Sequence, residues 1–483
     1  MKKRSYDYIR ICAVITLMVC PALSSPNGSY RAEGDTKQPN ILLIQVDDMN
    51  DWVGHLDTYP GVITPNFDRL AAEGVSFTRA YAASPLCGPS RASLCSGRRP
   101  STTSVYDNEQ DWRDYVPENE SFLSYFKANG YYVGGAGKFH HDKGARFSEW
   151  TEYLKRGGDR CKEVEVKGPG KITYGAADCD EEYFNDHLMA NWVIDKLGED
   201  HAKPFLITAG FRNPHTPWIV PRKYFDLYPL EDIQLPPHRE DDLEDLPRLG
   251  KQIAVFEGYH EKMLEMGVWK EQVQAFLATI TYVDYEIGRV LDALDASPYK
   301  DNTIVVLWSD HGWHMGEKRH WRKRTLWEEA TRIPYIWRIP GVTPQGEQSP
   351  RTVDLMGMYP SLCELAGLLI PKHVEGVSLK PLLENPTAEW DHPAISTCGY
   401  QNHMVRTERW KYIRYNNGGE ELYDHDNDPN EFDNLALDPV YASLKTELSM
   451  HLPKLNKPRV PEAEFPGCFG CQYRGVGSGP PSP

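Results

Sequence analysis

Four stretches of the chain share one pattern: about six consecutive apolar or small residues that run straight into polar, chemically capable ones. The run 41–46 leads into Asp47 and Asp48, and the run 132–137 leads into Lys138 and His140. The run 205–210 leads towards His215, and 303–308 leads towards Asp310 and His311. Uninterrupted apolar runs mark strands covered on both faces, the situation inside a parallel sheet; a sheet with one wet face would show alternation. Helical spacing of apolar positions predicts helices near 66–73, 119–129, 182–198 and 268–296, between those strands. Strands that alternate with helices predict an α/β fold, a parallel sheet with helices on both faces. Such sheets bind ligands beyond the carboxyl ends of their strands, so the four polar clusters are expected to converge on one edge.

The pattern changes at both ends. Lys2, Lys3 and Arg4 precede a short apolar run and then Pro21, Ala22, Leu23 and Ser24, the layout of a cleaved secretory leader over 1–24. The run is short for a membrane span, and no second stretch approaches the ~18 uninterrupted apolar residues that would qualify. A secreted or periplasmic protein without a stable membrane anchor is expected. The catalytic body is assigned to 38–374, with a short helix near 354–366 after a polar stretch at 345–350. Beyond that, 404–407 and 410–415 read as antiparallel strands with a turn at 417–419. This predicts a smaller C-terminal α+β subdomain over 375–460, followed by a Pro/Gly/Ser-rich tail over 461–483.

Composition narrows the function. The 483 residues carry a net charge of −16, and the basic leader makes the remainder more acidic still. Bulk charge therefore works against nucleic acid and anionic membranes. A polyanionic substrate would need a local basic pocket set in a negative surface. Eight of the ten cysteines follow the leader, and export favours disulfides, with Cys161–Cys179 and Cys468–Cys471 as local pairs.

Candidate chemistry gathers at the strand ends. Asp47-Asp48 suits a hard cation such as Ca²⁺ or Mg²⁺, although a strand-end acid pair is also an ordinary cap, and Asp310-His311 repeats the arrangement on another strand. Pro89 suits the first turn of a helix and Gly97 its end, which places Cys87 beside a helix N-terminus. Partial positive charge there favours an anionic ligand or a thiolate nucleophile; the bland alternative is a disulfide cysteine next to a capped helix. The basic run 318–324 reads either as a solvated charge run or as part of the same edge.

The segment Cys87-Gly88-Pro89-Ser90-Arg91, followed by Gly97-Arg98, resembles the signature of the type I sulfatases. Asp47-Asp48, Gly137-Lys138-Phe139-His140, Pro214-His215 and Asp310-His311-Gly312 follow that family's order. Arg406–Tyr412 and Glu421–Asp424 are similar to its small subdomain. Gly97–Pro100, Val105-Tyr106-Asp107 and Trp112-Arg113 look most like the iduronate-2-sulfatase-like branch. The resemblance implies an alkaline phosphatase-like fold, with a large mixed, mostly parallel sheet. It also implies a sulfuric ester hydrolase acting on a sulfated saccharide.

The same resemblance implies that a formylglycine-generating maturation enzyme converts Cys87 to Cα-formylglycine (3-oxoalanine). Its hydrate would attack sulfur through one hydroxyl and release sulfate through the other. Asp47, Asp48, Asp310 and His311 would hold Ca²⁺ together with residue 87. Arg91 would pin the hydrate, and Lys138, His215 and Lys323 would surround the sulfate. His140 would assist proton transfer at residue 87, with His141 as the alternative because iduronate-type relatives space this histidine three residues after the lysine. His314, Lys318, His320 and Arg322 are candidates for binding a substrate carboxylate or second sulfate, and His403 for closing the pocket. The rivals are a phosphonate or phosphate-ester hydrolase of the same superfamily and a non-catalytic binder of sulfated glycans.

Overall fold

The structure is a computed structural model that describes residues 38–141, 146–155 and 157–460. The expected leader, the tail and the Cys468–Cys471 pair lie outside the described residues. The core is a sheet of eight strands. In chain order these are β1 (Asn40–Asp47), β2 (Val75–Tyr81), β3 (Tyr132–Gly137), β4 (Glu152–Lys155), β5 (Phe205–Pro214), β6 (Thr303–Ser309), β7 (Tyr335–Arg338) and β8 (Glu347–Asp354). Across the sheet they are ordered β8-β2-β7-β6-β1-β5-β3-β4. β7 runs against β2 and β6, while the other neighbours pair in parallel.

The apolar runs are continuous for the expected reason. On β1, Leu42, Ile44 and Val46 join one core cluster, and Ile41 and Leu43 join another on the opposite face. The first face is covered by the helices Trp269–Ala296 and Asn185–Leu197. The second carries Cys87–Ser96, Phe122–Ala128 and Met358–Leu365. The polar stretch around 345–350 holds the start of β8, which pairs with β2 through Glu347↔Val75 and Gln348↔Ser76. At the outer edge of the sheet, polar residues cost little, so β8 shows no apolar run.

Four antiparallel strands, Ala394–Thr397, His403–Arg406, Trp410–Arg414 and Glu420–Asp424, form a second sheet. It docks directly on the body: Thr397 N–H donates to the Ala83 carbonyl at 3.0 Å and the Trp327 indole to Glu421 at 2.7 Å. Cys161–Cys179 is a disulfide, with its Cα atoms 6.0 Å apart. Among the described residues, Cys87, Cys95, Cys363 and Cys398 are buried and share no disulfide.

Candidate active site

β1, β3, β5 and β6 end side by side, and the polar residues after them meet there. Asp47 opposes Pro214 across a register shift at the end of β1. Asp48 then takes a left-handed backbone (φ 65°), which turns the chain so that its N–H reaches the Asp310 carboxylate at 3.1 Å. At the end of β3, Gly137 has φ 86°, and a Cβ there would lie 2.0 Å from the Gly210 carbonyl oxygen. Only glycine lets β3 and β5 close up at this point, and that closeness sets Lys138 against the edge. All ten residues of the Cys87–Ser96 helix are buried, and Gly97 ends it with φ 66°.

Cys87 is the first residue of that helix, and its Sγ is the hub of the site. Lys323 Nζ lies 3.0 Å from it, His311 Nε2 3.2 Å and an Asp48 oxygen 3.6 Å. Lys323 also donates to Asp48 at 2.6 Å, and Lys138 donates to Asp47 at 2.5 Å. Arg91 spends its guanidinium as a strut: Nε to Asp310 at 2.8 Å, Nη2 to Asp47 at 2.9 Å, and Nη1 to the carbonyls of Lys138 and Phe139. His215 sits at the mouth, its side chain 28% exposed, with Nε2 3.7 Å from Asp48.

Burial alone would push these carboxyls up. Lys138 and Arg91 outweigh it at Asp47, and His215 and Lys323 outweigh it at Asp48, so both stay well below the usual carboxylate range. Burial pushes the Cys87 thiol far up against the pull of Lys138 and Lys323. An unmodified thiol is therefore a poor nucleophile here. Burial also opposes charge on Lys323, but Asp48 prevails and raises its pKa, so the ammonium keeps its proton.

The donor set fits a hard dication. Asp47, Asp48 and Asp310 offer oxygens that all lie within 4.8 Å of one another. Asp48 Oδ2 is buried without a hydrogen-bond partner, an arrangement that an added cation would repair. His311 Nδ1 faces the Gly312 carbonyl at 3.0 Å, which places the proton there and leaves the Nε2 lone pair pointing inward.

Several expected site residues are engaged elsewhere. His140 lies between Cys95 (Nδ1 to Sγ, 3.5 Å) and Glu149 (Nε2 to Oε2, 3.2 Å), stacked on Trp112 with ring centroids 4.9 Å apart. Phe139 and Trp150 pack edge-on against the same ring, so His140 is enclosed by Cys95, Glu149 and aromatic side chains rather than set against residue 87. Half-buried His141 is the next residue on the loop.

Lys318 is buried and bonds Asp242 at 2.9 Å and the Glu431 carbonyl. His314 bonds Thr325 at 2.8 Å, and His320 faces the carbonyls of Ala254 and Lys323 at 3.0 Å each. Arg322 forks onto Glu257 at 2.7 and 3.0 Å. His403 lies between Thr397 and Asn456. These five are engaged in the contacts that build the loop and the domain junction. Lys318, Arg319, Arg322 and Arg324 all have left-handed φ, so this loop is strained and needs those anchors to hold Lys323 in place. The partners Asp242, Glu257 and Glu431 are remote in sequence, and no local signal announces them.

A strand edge that gathers three buried carboxylates, a histidine and two lysines around one helix-start cysteine defines a hydrolase of anionic esters. The chain belongs to the sulfatase family and is a sulfuric ester hydrolase: the sulfatase family model matches residues 39–368, and that of the N-sulphoglucosamine sulphohydrolase C-terminal region matches 316–458. It is 38% identical over 466 residues to a sulfatase of Formosa agariphila, covering 92% of each chain. It is 30% identical to iduronate 2-sulfatase of Homo sapiens, covering 73% of each. A solved 2-O GAG sulfatase superposes with a TM-score of 0.69 at 26% identity, covering 86% of this chain and 91% of that one.

Proposed function

We propose that the protein releases sulfate from a sulfated saccharide, using formylglycine made from Cys87 as nucleophile and Ca²⁺ as the charge-neutralising ion. The observation that carries this reading is the Cys87 side chain itself, held within 3.6 Å of Lys323, His311 and Asp48 at a buried helix start. The relatives named for iduronate 2-sulfate and for 2-O-sulfated glycosaminoglycans support a saccharide as the substrate class.

Asp47, Asp48, Asp310 and His311 would hold the ion, which lowers the pKa of a hydroxyl on residue 87 and draws charge from sulfate oxygens. Oxidised to formylglycine, residue 87 supplies a hydrated aldehyde hydroxyl for attack on sulfur. Arg91 keeps Asp47 and Asp310 in position beside residue 87. Lys138 and Lys323 bring two ammonium groups to the sulfate oxygens, where charge accumulates in the transition state. Lys323, in contact with residue 87, and His215, at the mouth of the site, are the two groups placed to protonate the departing sugar oxygen, and burial pulls the His215 pKa down. With His140 enclosed, proton transfer at residue 87 falls to His141.

Maturation by a formylglycine-generating enzyme and export follow from the same reading. Among the described residues no helix is long and apolar enough to cross a membrane. Mass analysis of the peptide bearing residue 87, together with sulfate release from defined sulfated saccharides, tests the proposal. Formylglycine with sulfate release supports it; full activity from an unmodified thiol refutes it. Faster turnover of phosphonate than of sulfate esters would favour the rival hydrolase.

A further inference from the structure

A cleft of about 500 Å³ lies away from Cys87, where the loop after β4 meets the segment that leaves β5. Arg160, Lys162, Asp178, Tyr183, Arg222 and Lys223 line it. The Cys161–Cys179 bridge forms part of one wall, and the Asp178 N–H donates to the Glu163 carbonyl at 2.9 Å across the same loop. Arg222 forks onto Asp178, Nε to Oδ1 at 2.5 Å and Nη2 to Oδ2 at 2.8 Å. Tyr183 is 43% exposed, and the Arg160 guanidinium lies 5.9 Å from its ring centroid. Lys162 is exposed and has no ion-pair partner among the described residues.

Both walls are tethered to the active edge. Arg222 follows His215 by seven residues, at most about 25 Å of extended chain. Tyr183 is three residues from Asp186, at most about 11 Å. The Asp186 carboxylate accepts the N–H groups of Arg212 and Asn213 at 2.9 Å each, just before His215. The chain therefore holds the Arg222 wall no more than about 25 Å from His215, within the span of an oligosaccharide that starts at Cys87.

We infer that this cleft is a distal saccharide subsite, which takes a sugar unit other than the one losing its sulfate. The inference rests on the saccharide reading above. A sugar presents an apolar ring face and a rim of hydroxyls. Tyr183 offers a flat surface, and the Arg222–Asp178 fork offers donors and acceptors fixed in one plane. Lys162 adds a charge for a sulfate or carboxylate on the same unit. Four basic residues line the cleft against three acidic ones, a mixed lining that suits a hydroxyl-rich unit better than a run of adjacent sulfates. Its concave shape and size match small-ligand sites rather than a flat protein interface.

The test uses Tyr183→Ala and Arg222→Ala in the full, matured enzyme. Substrates are an aryl sulfate, which occupies the centre alone, and size ladders from di- to hexasaccharide of heparan-type and algal sulfated polysaccharides. The parent should prefer hexasaccharide over disaccharide in kcat/KM by about 10-fold, equivalent to ~1.4 kcal/mol. Both variants should lose most of that preference through KM, while aryl sulfate turnover stays within about 2-fold of the parent. No chain-length preference in the parent, or equal losses on aryl sulfate and hexasaccharide, overturns the subsite.

Binding of the same ladders to Cys87→Ala protein, with and without Tyr183→Ala, gives a readout independent of turnover. Affinity that is unchanged by Tyr183→Ala overturns the subsite even if no ladder is hydrolysed. Absence of sulfate release from every ladder would instead count against the saccharide-sulfatase reading.

Discussion

Two buried charge clusters in this molecule look alike as inventories and differ in what fills their centres. At the active edge, Asp47, Asp48 and Asp310 converge with His311, and an oxygen of Asp48 is left without a partner. Where the C-terminal sheet docks, Glu328, Glu431 and His425 converge as tightly. There the Lys411 ammonium lies between the two carboxylates, 3.0 Å from Glu328 and 2.7 Å from Glu431, and His425 sits 3.1 Å from Glu431. Tyr81 adds a hydrogen bond to Glu328 at 2.7 Å. The second cluster already contains its cation and works as a clasp. In the first, Arg91, Lys138 and Lys323 bond the rim of the cluster, yet Asp48 Oδ2 is still left without a partner. Carboxylates in close array suit a metal where a buried oxygen stays unsatisfied, and a clasp where a side-chain cation bridges them all.

The sharpest way to break the comparison is to remove a group from each cluster and read activity and stability separately. Cys87→Ala should lower sulfate release by at least about 10³-fold, since nucleophile removal in covalent enzymes costs that much or more. Its melting temperature should stay near that of the parent. Chelation should come next. Dialysis against a Ca²⁺ chelator is expected to cut activity by about 10²-fold or more, recoverable by added Ca²⁺, with melting lowered by the lost binding linkage of ~3 kcal/mol at saturating ion. The clasp has no ion to lose, so an activity that survives exhaustive chelation would place both clusters in one class.

Within the Lys138–His141 loop, His141→Ala should reduce kcat by about 10²-fold, the ordinary worth of a proton-transfer group. His140→Gln should leave kcat within about 3-fold and cost ~1–3 kcal/mol of stability, because Glu149 loses a buried partner. The reverse ranking would return the catalytic role to His140.

Lys411→Met is the mirror experiment: about 3–5 kcal/mol lost from stability, with turnover at permissive temperature nearly unchanged, because two carboxylates are left buried without their cation. The smallest effect is the pH dependence. Burial works against charge on Glu431, but Lys411 and His425 hold its pKa down to about 2, and Glu328 is held well below its usual value by Lys411, His425 and Arg406. Folded values below unfolded ones mean that the stabilisation is present above pH ~4.5 and is lost as pH falls towards 2. Thermal melts of the parent over that range should decline, and Lys411→Met should flatten the decline.

How much of this was legible depended on where each residue stood. β1, β3, β5 and β6 are buried on both faces, so they appear as apolar runs, and their ends carry Asp47, Lys138, His215 and Asp310 in plain view. β8 lies at the sheet's outer edge, where nothing demands apolar residues, and its Glu347–Ser349 start read only as a polar stretch. Gly137-Lys138-Phe139-His140-His141 holds two adjacent histidines in a loop. Side-chain direction in a loop follows no period, so only the packing of His140 against Trp112 and Glu149 separates them.

The one-dimensional order of residues determined the strands, the order of their polar ends and the Cys87 helix with its Pro89 start and Gly97 stop. Those features depend on local burial pattern and backbone preference, which sequence encodes directly. Family resemblance singled out Lys323 in the run 318–324, and tertiary structure decided what the other basic residues of that run do. Lys323 contacts Cys87 and Asp48, while Lys318 and Arg322 are claimed by Asp242 and Glu257. A charge is committed by whichever opposite charge the fold brings within a few ångströms, and those partners lie tens to hundreds of residues away along the chain.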